Sequence, residues 1–322
     1  MKTDFNHFWP VYKNLEEETL QLTKYIQFTD EQLGVYSMYI ADLLVRCAME
    51  IEALSKELYW KNGGTEVYGE DGKKRDLFFD TDCIAFLNEL WGICKKEVLV
   101  SSTKFYFEKS ENRIISPLYK AEKRSGAKWN KAYQAVKHDR KNSLRQGKIE
   151  NLISALGALF ILNLYYADEK IQLGITDTPS KAFDNRMGSE IFAATYTDAT
   201  VDVQIGESLL DDAISDKMKD KLLSSVYVIK YTDYSWKNMY AAIKEDSQKL
   251  RNSLKMADSF KEYCEENPEE VEKLRDESLY ALVNRFLGKD YIYNHNGLGK
   301  FGRAFMGAQK EVIINKKKPI YG

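Results

Sequence analysis

The sequence predicts a mainly α protein: an N-terminal helical bundle, then a smaller α+β C-terminal region with an antiparallel sheet. Three observations carry this reading. Hydrophobic residues are 44% of the 322-residue chain, enough for a sizeable core. Charged residues are 30% and prolines only 5, a mix that suits helices. Apolar side chains recur at helical spacing through most of residues 8–168, and β-like runs dominate only after Asp177-Thr178-Pro179-Ser180.

Taken in order, residues 8–27 read as a first helix, with Leu15, Thr19, Leu22 and Ile26 on one side. Residues 30–60 read as a longer one. Its stripe is Leu33, Tyr36, Ile40, Leu43 or Leu44, Cys47, Ile51, Leu54 and Leu58; Thr29 or Asp30 can cap its start, and Asn62-Gly63-Gly64 ends it. The turn-rich 65–79 stretch belongs on the surface. A helix over 82–98 places Ile84, Leu87, Leu90, Trp91 and Cys94 together. KFYFE (104–108) and RIISP (113–117) read as a short β-hairpin or two extended arms around Ser110-Glu111-Asn112. A helix follows from about Lys128 to Asp139, then a break at Asn142, Ser143 and Gly147. The apolar helix 148–168 is expected to be the most buried of all.

In the second half, Glu190–Thr197 and Thr200–Ile205 read as an antiparallel pair around Asp198-Ala199, followed by a helix over 208–223. Ser225–Thr232 alternates like a strand. Helices over 235–256 and 268–287 come next, then short extended pieces in 291–315. A boundary near 178–185 divides a bundle, 1–180, from an α+β region, 185–322, to which the sequence assigns no role. There is no internal repeat and no low-complexity tract.

The formal net charge of −2 excludes a chain that is basic overall, so attraction for a polyanion must be local. Lys120–Lys148 supplies that locality: ten Lys or Arg against Glu122 and Asp139. Such a run draws phosphates by Coulomb attraction and counterion release. It serves equally as a solvated helix face balancing the acidic 258–277 segment. No stretch reaches the roughly 18 consecutive apolar residues of a membrane span. The N-terminus lacks the basic-then-apolar order of a signal peptide, and the four cysteines are scattered. A reduced, cytoplasmic setting is expected.

Trp129–Arg145, WNKAYQAVKHDRKNSLR, holds His138 in the densest part of this run. An imidazole moves protons near neutral pH, and a guanidinium holds phosphate or developing negative charge. His138 and Arg140 are therefore the catalytic candidates. Lys131, Lys137, Lys141, Asn142 and Arg145 are candidates for holding phosphate, with Asn142 also able to orient the imidazole. Arg46 and Glu50, one turn apart on the early helix, pair with each other or brace His138, and Tyr133 stands beside them as support. The plain alternative is that His138 caps its helix end as a cation.

Other signals count for little. Gly297–Gly302 spells GxGxxG, but only twenty residues follow it, too few for the second strand of a dinucleotide site, so a turn is expected. P-loop, HExxH and GxSxG motifs are absent. His7, His138 and His295 are too few and too separated for a zinc cluster. No metal and no cofactor is expected.

RCAMEIEALSKELY (Arg46–Tyr59), WNKAYQAVKHDR (Trp129–Arg140) and the apolar helix after them resemble the HEPN-like proteins of bacteria, over about residues 30–170. The resemblance implies a small helical bundle, often a homodimer. It implies one of two activities: a metal-independent endoribonuclease of toxin or anti-phage defence type, or a non-catalytic module that dimerises and binds nucleotide, RNA or a partner protein. His138 matches the family's histidine. The family's motif sets an arginine four to six residues ahead of it; here Lys131, Ala132 and Tyr133 stand there, and Arg140 and Arg145 follow instead.

Overall fold

The computed structural model describes residues 6–200, 216–292, 299–317 and 320. The chain is mainly helical with a smaller α+β C-terminal region. Helices α1 (Phe8–Leu22), α2 (Met38–Lys61), α3 (Ala85–Trp91), α4 (Lys128–His138) and α5 (Ile149–Ala167) build the first half. α5 is apolar on every side and accordingly buries almost every side chain, with α1, α2 and α4 packed on it. It is long and apolar enough to cross a membrane by composition, and here it is the buried core.

Several local expectations need correction. Ser37, not Thr29 or Asp30, caps α2: its Oγ accepts from the Ile40 amide at 3.1 Å. Asp30 opens a separate 3-10 turn, Asp30–Gly34, and its carboxylate accepts from Glu108 N, Lys109 N and Asn112 Nδ2. The helix expected over 82–98 is a π-turn at Phe79–Ile84, then α3, then a 3-10 turn at Ile93–Lys95. Gly92 ends α3 in the left-handed region, at φ 64°, and Leu90 turns outward.

The 104–117 arms do not pair with each other. Phe105–Tyr106 lies parallel to Phe28–Thr29, with the Phe28 and Phe105 rings 4.7 Å apart. Ile114–Ile115 lies antiparallel to Val98–Val100, and a helical turn, Ser110–Arg113, separates the arms. Nor does 190–197 start a local hairpin. Phe192–Ala194 joins Val98–Val100 antiparallel, and Tyr196–Asp198 joins Tyr227–Tyr231 in parallel. The partner expected at 200–205, and the start of the 208–223 helix, lie outside the described residues but for Thr200.

The C-terminal half adds α6 (Asp216–Ser224), α7 (Asp233–Met256), α8 (Asp258–Glu266), α9 (Leu279–Phe286) and α10 (Lys300–Met306). The four-stranded sheet runs Ile171–Gly174, Lys310–Ile314, Tyr227–Tyr231, Tyr196–Asp198, antiparallel except for the last pair. Tyr227–Tyr231 is buried on both faces rather than on alternate residues, because it is a central strand with cover on each side. Strands from either side of 178–185 thus share hydrogen bonds. They also share a core: Leu156, Tyr165, Tyr227, Val312 and Ile314 belong to one apolar cluster, and the Tyr165 hydroxyl donates to Asn315 O at 2.7 Å. Leu250, Leu254, Leu279 and Val283 form a smaller cluster between α7 and α9.

Candidate nucleic-acid interface

α4 is amphipathic, and its two faces have different fates. Trp129, Asn130, Ala132, Tyr133 and Val136 turn inward between α2 and α5. The Trp129 Nε1 donates to Pro117 O at 2.8 Å. Asn130 Nδ2 donates to Asp80 Oδ2 at 3.4 Å, and the same oxygen accepts from Ser125 N at 2.9 Å. The loop before α4 is therefore tied down. Gly126 is required in it, since a Cβ there would stand 2.2 Å from Lys120 O. The outer face exposes Lys128, Lys131 and His138. Lys131 and His138 are seven residues apart, hence on one stripe, with a rise of about 10 Å between them.

The turn after α4 is equally constrained. Asp139 caps the short helix Arg140–Ser143, accepting from Asn142 N at 3.2 Å and Asn142 Nδ2 at 2.8 Å. Gly147 then passes against α2, where its missing Cβ would meet Ala41 Cβ at 2.4 Å. Ile149 N donates to Val35 O at 3.0 Å. The backbone bearing Arg140, Lys141 and Arg145 is thereby anchored at both ends while those three side chains stay exposed.

Few of the ten cations are neutralised. Lys128 and Lys148 both reach Glu150, at 3.2 and 2.7 Å. Burial pushes the Glu150 carboxyl up, but hydrogen bonds from Lys148 and Lys128 overcome this and hold it below the usual range. Lys137 Nζ donates to the Tyr133 hydroxyl at 3.1 Å, which raises the Lys137 ammonium, while burial raises the Tyr133 phenol. Lys120 lies over the Tyr119 ring at 5.1 Å. Among the described residues, Lys123, Arg124, Lys131, Arg140, Lys141 and Arg145 make no side-chain hydrogen bond or ion pair. In the acidic 258–277 segment, Asp258 pairs with Lys261 and Glu277 with Arg285 rather than with the run.

A cleft of about 440 Å³ opens beside the N-terminal ends of α4 and α5, lined by Lys120, Lys128, Lys131, Glu111, Glu150 and Asn151 among others. Glu150 and Asn151 were not foreseeable from the basic run. Glu150 matters because the fold sets the first turn of α5 against that of α4.

The imidazole is not assembled as expected. His138 is exposed at the last turn of α4 and, among the described residues, its side chain has no hydrogen bond. Asn142 does not orient it, being bonded to Asp139. Arg140 makes no bond to it. Arg46 pairs with Glu18 of α1 at 2.7 Å rather than with Glu50, and neither braces the His138 segment. Tyr133 is buried and serves Lys137. No three His, Cys, Asp or Glu side chains converge as a metal site among the described residues.

These features define a mainly helical protein with a mixed C-terminal sheet and one cationic edge built on α4. No protein-family model, curated protein or solved structure matches the chain.

Proposed function

We propose that this chain is an RNA-acting, HEPN-like protein that holds the RNA backbone on the cationic edge formed by α4 and the turn after it. One observation carries the reading: Lys123, Arg124, Lys131, Arg140, Lys141 and Arg145 are exposed, and no carboxylate among the described residues neutralises them. Positive charge fixed on an anchored backbone and left without counter-charge attracts a polyphosphate and releases its counterions.

Binding is favoured over cleavage by a second observation. A proton shuttle needs a fixed ring, and the one adjacent carboxylate, Asp139, is spent on Asn142. The metal-independent ribonuclease reading survives only if a second copy of the chain brings an arginine to His138, which a homodimer would allow.

Anisotropy titrations with a labelled mixed-sequence single-stranded RNA, from 50 to 200 mM salt, test the proposal. A slope of log affinity against log salt near −4 is expected, since six neutralised phosphates on a single strand contribute about −0.7 each. Replacing Lys131, Arg140, Lys141 and Arg145 together by Ala should remove most of that slope. Unchanged affinity in this variant would refute the interface. The same RNA incubated with EDTA, beside His138→Ala, separates the activities: chelator-resistant cleavage lost in the variant means enzyme, and intact RNA with both proteins means module.

A further inference from the structure

A second cavity, of about 750 Å³, lies far from α4 in sequence and is walled by the end of α3, the end of α6 and the C-terminal strand. That volume suits a small organic ligand. Its apolar wall includes Trp91, Leu222, Leu223, Val228 and Ile313. Its polar feature is unusual: Lys96 is only 2% exposed. The Lys96 ammonium donates to Leu222 O at 3.3 Å and Leu223 O at 3.2 Å, carbonyls at the end of α6. A cation suits a helix C-terminus. Two carbonyls leave the third N–H and the net charge uncompensated, and no carboxylate pairs with it among the described residues. Burying an ammonium without a counter-ion is strongly unfavourable. The surroundings add to the deficit. Lys317 lies near enough to repel it. Lys316, 5.6 Å from the Trp91 ring, already occupies Asp168 at 2.5 Å.

We propose that this cavity binds a small organic anion, with the acidic head on the Lys96 ammonium and an apolar or aromatic body along Trp91, Leu222 and Ile313. The anion supplies the counter-charge that the fold withholds, and the apolar wall supplies affinity by burial. The cavity shares no lining residue with the cleft beside α4.

The pH dependence follows from the same geometry. Burial, then the Lys317 charge, pushes the Lys96 ammonium down to about 7. Its charge is present below that value and lost above it. The other charged groups around the cavity are Lys95, Lys170, Lys316 and Lys317, with Glu89, Asp168 and Glu169. These are residue types that ordinarily titrate well outside pH 6–8, and no histidine lines the cavity among the described residues.

Calorimetric titration with 8-anilinonaphthalene-1-sulfonate tests this, beside the uncharged N-phenyl-1-naphthylamine, which shares its body but lacks the head. One sulfonate per chain should bind at pH 6, at least tenfold more tightly than the neutral probe and at least tenfold more tightly than at pH 9. Lys96→Met should abolish the preference for the sulfonate. If that variant does not fold, Lys317→Glu decides: it is at an exposed position and should weaken the sulfonate severalfold while leaving the neutral probe unchanged. Equal affinity at both pH values, equal affinity for both probes, or sulfonate binding indifferent to the variant that folds overturns the proposal.

Discussion

Ser189 donates its hydroxyl to the carboxylate of Glu16, joining positions 173 residues apart. The same Glu16 Oε1 accepts from the Tyr12 hydroxyl at 2.9 Å and from the amides of Glu190 at 2.9 Å and Ile191 at 3.0 Å. Glu16 is fully buried. A carboxylate on α1 is thus the anchor that brings Phe192–Ala194 to the sheet edge.

Removing that anchor should be costly. Glu16→Ala removes the acceptor shared by two buried hydroxyls and two amides, leaving the hydroxyls to each other and the Ile191 amide to Ser189 Oγ, and should lose about 3 kcal/mol. Glu16→Gln keeps one acceptor oxygen and should lose about half as much. Urea unfolding of the two variants measures both, and a loss below about 1 kcal/mol for Glu16→Ala would remove the anchoring role.

Gly147 should not tolerate a methyl group. The added Cβ would stand 2.4 Å from Ala41 Cβ and 2.7 Å from Ala41 Cα, and that backbone belongs to α2. Gly147→Ala should therefore cost about 1–3 kcal/mol by overpacking and weaken RNA binding, since it displaces the segment carrying Arg145. Gly34→Ala, with open space around the new Cβ, is the control and should change stability by about 0.5 kcal/mol or less. Thermal melts and the RNA titration read the two effects.

Lys230 and Glu311 face each other across neighbouring strands of the sheet, 3.8 Å apart, and both are buried. Glu311 also takes Lys170 at 2.8 Å, and Lys230 takes Asp233 at 2.6 Å. Glu311→Leu should cost about 1–2 kcal/mol, because buried Lys230 loses one carboxylate partner and keeps Asp233. Adding Lys230→Met to it should cost less than the sum of the single changes. A double-mutant cycle measures the difference, and strict additivity would show the two residues to be uncoupled.

Arg75 grips Asp82 with two nitrogens, at 2.6 and 2.9 Å, and holds its carboxyl below the usual range. A depressed carboxyl stabilises the fold above its unfolded value and loses that contribution as pH falls through the folded one. Asp82→Asn should therefore cost about 1–2 kcal/mol at pH 7, allowing for the partial exposure of Arg75. The difference from the parent should shrink as pH falls below about 4. Paired denaturation curves at pH 7 and pH 3 check the sign.

Within the basic run, the sequence revealed which residues are cations but not which are neutralised. Lys128 and Lys131 have the same residue type and share one helix face. One is paired because α5 brings Glu150 to it, and the other is not. The unpaired state of these cations is a property of neighbours, not of composition. Similarly, Arg46 and Glu50 have helical pairing distance, yet Glu18 of α1 reaches Arg46 first.

The sequence by itself determined the elements whose identity is local. α5 could be read because it is apolar all round, and the inward face of α4 because Trp129, Ala132, Tyr133 and Val136 recur at helical spacing. The tertiary structure decided the pairings: Phe105–Tyr106 with Phe28–Thr29, Phe192–Ala194 with Val98–Val100, and the tail strand beside Tyr227–Tyr231. It also decided that Lys96, one of two adjacent lysines, is buried against the end of α6 at the cavity wall while Lys95 stays exposed. Periodicity records how a segment presents its own side chains. It holds no record of which distant segment arrives to cover them, and charge, cavity and partner all depend on that arrival.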